Sequence, residues 1–404
     1  MGRTHWWLAL VVAFAGVVAA TNIGKVAPVI PLIQGELGLS LGNVGWIVSA
    51  FSVCAMFLCL AMSIIASKAG NYRLAVAALL LMGGGGLVSA NADAFGLLLI
   101  GRVTESLGFV MIAVTGPALI ARVVLPEDRA LALTFWSLWL PVGVVMMLLL
   151  SPLLVGFSGW RLVWSVTAWL SLFWALVLGA AFFHIGRAGD REPSITWPEF
   201  RGLFQPDSLL LCLSLASFSC AYMVGTSFAP TYWFEVHDIS LKEGAYWLSA
   251  AMVGTIVGNL TCGILVKKGY SGRSILLTAF VIPAMLGGLS FVIGLPFWFQ
   301  YICFFVFTTC TGAVPTAAIA LAPTYVSSPA QIGPSVALVF QGATIGQVIG
   351  PIIFSQLIEY HEHNWSWGLA FFIAMACIGG GLMSMLRPPG YRRTLAASNP
   401  PNSG

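Results

Sequence analysis

Three charged residues lie deep within apolar stretches of the chain. Lys25 sits in "TNIGKVAPVIP", inside a hydrophobic run over residues 6–34. Arg102 and Glu105 sit in a second run, 94–122, three residues apart and so on one helical face. A charge at the centre of a membrane-spanning helix costs about 2.5–3.5 kcal/mol on insertion scales, so each needs a partner or a watery cavity. Depth allows them to meet. At 1.5 Å per helical residue, Lys25 lies ~14 Å below the outer end of its run, Arg102 ~10 Å and Glu105 ~15 Å below theirs.

Two cations and one acid leave a net positive charge, which favours an anion. Arg102 offers a planar fork for a carboxylate or similar oxyanion, and Lys25 a point charge, with Asn22 one turn away. Glu105 could hold Arg102 in place or accept a proton during coupling. Two simpler readings stand beside this one: Lys25 snorkelling to the headgroups, and Arg102–Glu105 as a structural ion pair. Gly24, Pro28 and Pro31 predict a broken helix beside Lys25, a common way to build a membrane site.

The elements that must position these residues follow from hydropathy. Of 404 residues, 59% are hydrophobic and only 8% charged, against roughly a quarter charged in a soluble domain. Twelve runs are long enough to span a bilayer: 6–34, 44–66, 74–91, 94–122, 131–155, 161–183, 207–234, 245–266, 273–294, 297–325, 334–358 and 367–386. The turn residues of "GFSGWR" separate the fifth from the sixth. With the N-terminus inside, fourteen Lys and Arg fall in inner segments and only Arg161 and Lys242 outside. Both termini are therefore expected in the cytoplasm of a bacterial-type inner membrane. The fold class expected is an all-α membrane protein of two six-helix bundles, 1–183 and 207–386, with a cytoplasmic linker at 184–206 and a disordered tail at 387–404.

The halves resemble each other. "SIIASKAGNYR" after the second span matches "GILVKKGYSGR" after the eighth, pairing Lys68 with Lys268 and Arg73 with Arg273. Pro28 pairs with Pro230, and Pro117 with Pro315. Ser227 and Gln300 align with Lys25 and Arg102, so the second half carries no intramembrane charge. Its candidate substrate contacts are neutral: Tyr222, Tyr232, Asn259 and Gln341, with Thr308, Thr309 and Gln347 beside them. Interhelical bonding is the alternative role for each.

The loop from Ser63 to Arg73 is similar to the G-x-x-x-D-R-x-G-R-R motif of the major facilitator superfamily. Ser67 replaces its acid and Lys68 its arginine, while Gly70 and Arg73 match. "RVTESLG" resembles the family's R-x-x-Q-G-x-G motif, with Arg102 and Gly108 matching and Glu105 at the glutamine position. "SPLLVG" faintly echoes the antiporter motif, and "GWRLVW" resembles the family's usual opening of span 6. The resemblance covers roughly residues 6–386. Within the superfamily, "GKVAPVIPLIQGELGLSLGNVGWIVS" is similar to cyanate- and nitroimidazole-type transporters. This implies two rocking bundles around a central cavity, and a cytoplasmic gating motif at Lys68, Gly70, Arg73, Lys268 and Arg273.

The expected function is secondary transport of a small anion, an organic carboxylate first, by a monomer in the lipid bilayer, with proton coupling at Glu105. The alternative is a proton-coupled multidrug, metal or metallophore transporter of the same fold. None of the five histidines lies deep in a span, and there is no nucleophile–base set or ATP motif. An enzyme, a resident metal, a cofactor and a nucleic-acid partner are not expected. "GGGG" at 83–86 reads as close helix packing, "HEH" at 361–363 as a solvated loop, and the eight cysteines as small buried hydrophobes.

Overall fold

The computed structural model describes residues 4–125, 128, 132–133, 135–136, 138–183, 197–326 and 331–387. The first run forms α1 (Trp6–Gly24), a 3-10 turn (Ala27–Val29) and α2 (Ile30–Leu37). The expected break falls directly after Lys25. Pro28 and Pro31 each stand in the first turn of a new segment, where a missing N–H is tolerated. Gly38, at φ +62°, ends α2 in the left-handed conformation that favours glycine. Then follow α3 (Leu41–Ala69), α4 (Asn71–Ala90), α5 (Phe95–Val123) and α6 (Trp139–Phe182). The 44 residues of α6 contain two non-helical ones, Ser158 and Gly159, and Gly159 has φ +71°. That break lies within "GFSGWR", so α6 supplies the fifth and sixth spans.

Next come the short α7 (Trp197–Arg201), then α8 (Pro206–His237), α9 (Leu241–Lys267), α10 (Gly272–Leu289), α11 (Phe297–Thr311), α12 (Ala313–Leu321), α13 (Ile332–Tyr360) and α14 (Trp367–Ser384). Among the described residues eleven helical stretches are long and apolar enough to cross a membrane, α6 counting once. The expected linker differs in part from an irregular segment. Residues 184–196 lie outside the described residues, but α7 is helical, and Leu203 just after it is buried with Leu60, Cys212 and Leu338. The apolar residues of "WPEFRGLF" give this piece something to bury. The expected tail lies outside the described residues apart from Arg387. Of the cysteines, Cys377 is exposed and Cys54 and Cys310 are half-buried, while the other five are buried as expected.

One apolar core joins the halves at the end that carries the α2–α3 turn. It unites Ile30, Ile33, Val44 and Val48 with Phe228, Trp233, Phe291 and Phe354. Toward the other end each half builds its own core, around Val12, Leu79 and Ile120 in the first and Leu215, Leu276 and Phe280 in the second.

A repeated clasp appears in three dimensions. The indole N–H of Trp160, at the start of the sixth span, donates to Glu36 of α2 at 2.6 Å. The indole of Trp365, just before α14, donates to Glu235 of α8 at 3.0 Å. Both indoles are almost fully buried. Arg161 also binds Glu36, whereas in the second half His363 Nδ1 lies 3.6 Å from Glu235. Removing either carboxylate leaves a buried donor without a partner. Glu235→Ala should therefore lower stability by about 1–3 kcal/mol. Glu235→Gln, whose carbonyl still accepts, should lose less. Thermal unfolding in detergent reads both.

Candidate functional site

Lys25, Arg102 and Glu105 meet. Lys25 ends α1, and its Nζ lies 2.6 Å from Glu105 Oε1. Arg102 Nη1 lies 2.7 Å from Glu105 Oε2. Relative exposures are 0% for Lys25 and Glu105 and 1% for Arg102, so the lysine does not snorkel. The depth argument is met, and the cluster is closed off in this conformation.

The remaining contacts come from three helices, α1, α3 and α6. Lys25 Nζ also donates to Asn22 Oδ1 at 2.7 Å and to Thr167 Oγ1 of α6 at 3.2 Å. The Trp164 ring centroid is 4.9 Å from Nζ. Arg102 Nη1 donates to the Asn22 carbonyl at 3.0 Å, and Nε to the Ile47 carbonyl at 3.3 Å. Its guanidinium carbon lies 4.5 Å from the Phe51 ring centre. Lys25 thus points between α1, α5 and α6, while Arg102 points toward α3.

The local sequence explains how α5 comes so close. A Cβ at Gly85 would stand 2.7 Å from Gly101 O and 2.9 Å from Glu105 N. One at Gly86 would stand 3.3 Å from Glu105 Oε1. The "GGGG" run therefore lets α4 and α5 touch at the turn that carries the acid, as its packing role predicts. Gly24 does the same for α1, since a Cβ there would stand 2.6 Å from Val144 O of α6.

The neutral candidates of the second half do not join this cluster. Tyr222 stacks on Phe218, and its hydroxyl lies 3.8 Å from Met252 Sδ. Tyr232 is buried among Phe291, Trp365 and His237, and its hydroxyl accepts from Gln300 at 2.8 Å. Asn259 accepts from Thr316. Thr308 donates to the carbonyls of Ala251 and Phe305, and Thr309 to that of Phe305. Gln341 differs. Its amide donates across to Met56 O of α3 at 2.9 Å, and its Oε1 is buried with no partner.

The interface between halves runs along α3 and α13. Ser49 donates to Val348 O at 2.7 Å and Ser52 to Gln347 at 2.8 Å. Gly42 N, in the first turn of α3, donates to Glu359 at 2.6 Å. A carboxylate on a helix N-terminus is favourably placed. Ser49, Ser52, Glu359 and Thr167 carried no sequence signal, being common residue types in ordinary surroundings.

At the expected gating motif, Gly70 joins α3 to α4 with φ +93°, and Arg73 is exposed in the first turn of α4. The Lys68 side chain lies outside the described residues. Lys268 is exposed, and Arg273 donates to Ser384 O at 2.8 Å.

Known proteins resemble this chain along most of its length. The Major Facilitator Superfamily profile matches residues 12–332. Multidrug export protein EmrB of Haemophilus influenzae is 26% identical over 239 residues, covering 57% of this chain and 43% of that protein. The putative uncharacterized transporter YgaY of Escherichia coli K12 is 24% identical over 214 residues, covering 50% and 53%. The chain thus spans about half the length of the curated relatives it matches. Among solved structures, a bacterial homologue of the human lysosomal transporter Spinster, inward-facing and occupied, superposes with TM-score 0.70 at 18% identity over 98% of both chains. The nucleoside transporter NupG superposes with TM-score 0.74 at 13% identity, over 94% of this chain and 100% of that one. These likenesses give no support to the finer resemblance to cyanate- and nitroimidazole-type transporters. Profile, helix count and superposed fold agree, and the chain belongs to the Major Facilitator Superfamily.

Proposed function

We propose that this chain carries a small organic anion, a carboxylate first, by alternating access across a bacterial inner membrane. The family is one of transporters and not of enzymes. The observation that carries the anion reading is the charge balance of the buried cluster. With all three groups charged, two basic side chains share one carboxylate, and no second acid faces them among the described residues. An unbalanced buried charge is costly, and a bound anion would balance it.

Access comes through Arg102. It is the member that faces α3, and its Nη2 has no hydrogen-bond partner among the described residues. Because α3 lies against α13, separating the halves would uncover α3, the helix beside which that guanidinium lies. Gln341, bridging to α3 with a spare acceptor, is placed to report or assist the opening. With both termini cytoplasmic, the joined core closes the outer side. The bundles 1–183 and 207–386 then rock about the α3–α13 seam, in a single chain that holds the whole site.

The test is thermal unfolding of the purified protein against acetate, lactate, succinate and benzoate, with tetraphenylphosphonium and ethidium beside them. Stabilisation by an acid that is lost in Arg102→Met is the expected result. Stabilisation by the lipophilic cations alone, unchanged in Arg102→Met, would favour drug export. That second reading is supported by the likeness to a protein named for multidrug export.

A further inference from the structure

We propose that Lys25, and not Glu105, is the proton-binding group of the transport cycle, taking up one proton with each anion. The proposal rests on the anion reading for its second half only.

The hydrogen-bond pattern separates the two candidates. Glu105 accepts from Lys25 through Oε1 and from Arg102 through Oε2. Protonating it would weaken both ion pairs at once and leave the basic groups without a counter-charge. Lys25 can lose a proton and keep all three of its partners. Its three partners are Asn22 Oδ1, Glu105 Oε1 and Thr167 Oγ1. A neutral amine donates two bonds and accepts one. Asn22 and Glu105 take the two donated bonds. Thr167 can supply the third, because a hydroxyl is donor and acceptor alike. Its hydroxyl now donates to the carbonyls of Val163 and Trp164. Turning it toward Nζ reverses the Lys25–Thr167 bond and gives up only that donation, and both carbonyls lie inside the helix, where backbone N–H groups serve them.

Charge counting gives the coupling. With Lys25 neutral, Arg102 and Glu105 cancel and the closed empty site carries no net charge. With Lys25 protonated and a monovalent anion bound, the sum is zero again. Only the half-loaded states, proton without anion or anion without proton, leave a buried net charge. Such states resist closure, so each ligand favours binding of the other, and by linkage the effect is reciprocal. No other titratable side chain faces Nζ among the described residues. Besides Glu105 and Arg102 of α5, its neighbours are Asn22 of α1 and Thr167 and Trp164 of α6.

The experiment is a difference titration of the full chain in uncharged detergent, with no substrate present. Wild type is compared with Lys25→Met and Lys25→Arg. Between about pH 6 and pH 9, where an ordinary lysine keeps its proton, wild type should release about one proton more than Lys25→Met. Lys25→Arg should match Lys25→Met, because a guanidinium stays charged throughout, and it serves alone if the Met variant fails to fold. Equal release by wild type and Lys25→Arg overturns the proposal. Adding each panel acid at pH 8 then tests the link. A stabilising acid should draw protons into wild type, up to about one for each anion bound, and none into Lys25→Arg. Binding without proton uptake breaks the coupling. If no acid binds, the anion reading fails, while the substrate-free titration still decides whether Lys25 exchanges a proton.

Discussion

Glu105→Ala should destabilise the protein by about 3–5 kcal/mol, the usual result of removing one partner from a buried ion pair. Among the described residues the carboxylate is the only acid within reach of the two basic groups, at 2.6 Å from Lys25 and 2.7 Å from Arg102, and all three are shielded from solvent. Without it Arg102 has no counter-charge, and Lys25 loses its shortest contact. Lys25→Met should cost much less. It leaves the Arg102–Glu105 pair balanced and puts a flexible apolar chain where the lysine stem lay. Equal losses for the two variants would contradict this account. A double variant, Glu105→Gln with Arg102→Met, should lose less than the sum of its single changes, since it leaves no charge stranded. Thermal or denaturant unfolding in detergent measures the whole series.

Gly45→Leu should abolish the closed arrangement at the end that carries the α2–α3 turn while the separate cores of each half survive. A Cβ at Gly45 would fall against Ser355 Oγ, 2.8 Å from Pro351 O and 3.0 Å from Ser355 Cβ. These atoms belong to α13, so a larger residue must push the halves apart. The seam it would pry open includes the contacts of Ser49, Ser52 and Gly42 with Val348, Gln347 and Glu359. Overpacking within one rigid core costs about 1–3 kcal/mol. Here the protein has a softer response, which is to populate a state in which α3 and α13 are separated. Spin labels at the exposed positions Gly35 and Tyr360 should therefore move apart relative to wild type. Transport should fall by about tenfold or more, because one side of the cycle is blocked. An unchanged label distance would show that the seam absorbs the side chain.

The sequence and the structure agree where the physics is one-dimensional. Hydropathy places the helices, and prolines place the break after Lys25. Turn residues place the break at Ser158 and Gly159. Depth is similarly robust. An error of two residues in a span boundary moves a side chain only ~3 Å along the axis. The same error turns it through about 200° around the axis, at 3.6 residues per turn. Facing directions were therefore not legible. The meeting of Lys25 with Glu105 follows from depth and charge. Its third partner, Thr167, depends on how α6 is rotated against α1. The same limit applies to the second half, where Tyr232, Asn259 and Thr308 look like cavity groups by type but are engaged with neighbouring helices. The Glu36–Trp160 and Glu235–Trp365 clasps escape a linear comparison for another reason. Pro28 and Pro230, which align the spans next to the glutamates, are 202 positions apart in sequence, but the two glutamates are 199 and the two tryptophans 205 apart.

Lys25 and Glu105 are separated by 80 residues of chain. At a synthesis rate of roughly 5–20 residues per second, the first helix waits about 4–16 s for its acid. During that interval a lysine in hydrocarbon disfavours insertion by about 2.5–3.5 kcal/mol. The first span of this protein is thus a poor passenger of the insertion machinery on its own, and its final seat depends on the arrival of α5. Its counterpart α8 carries Ser227 at the aligned position and has no such wait. The two halves share a fold, but in the first a buried charge ties the seating of one span to a helix made later.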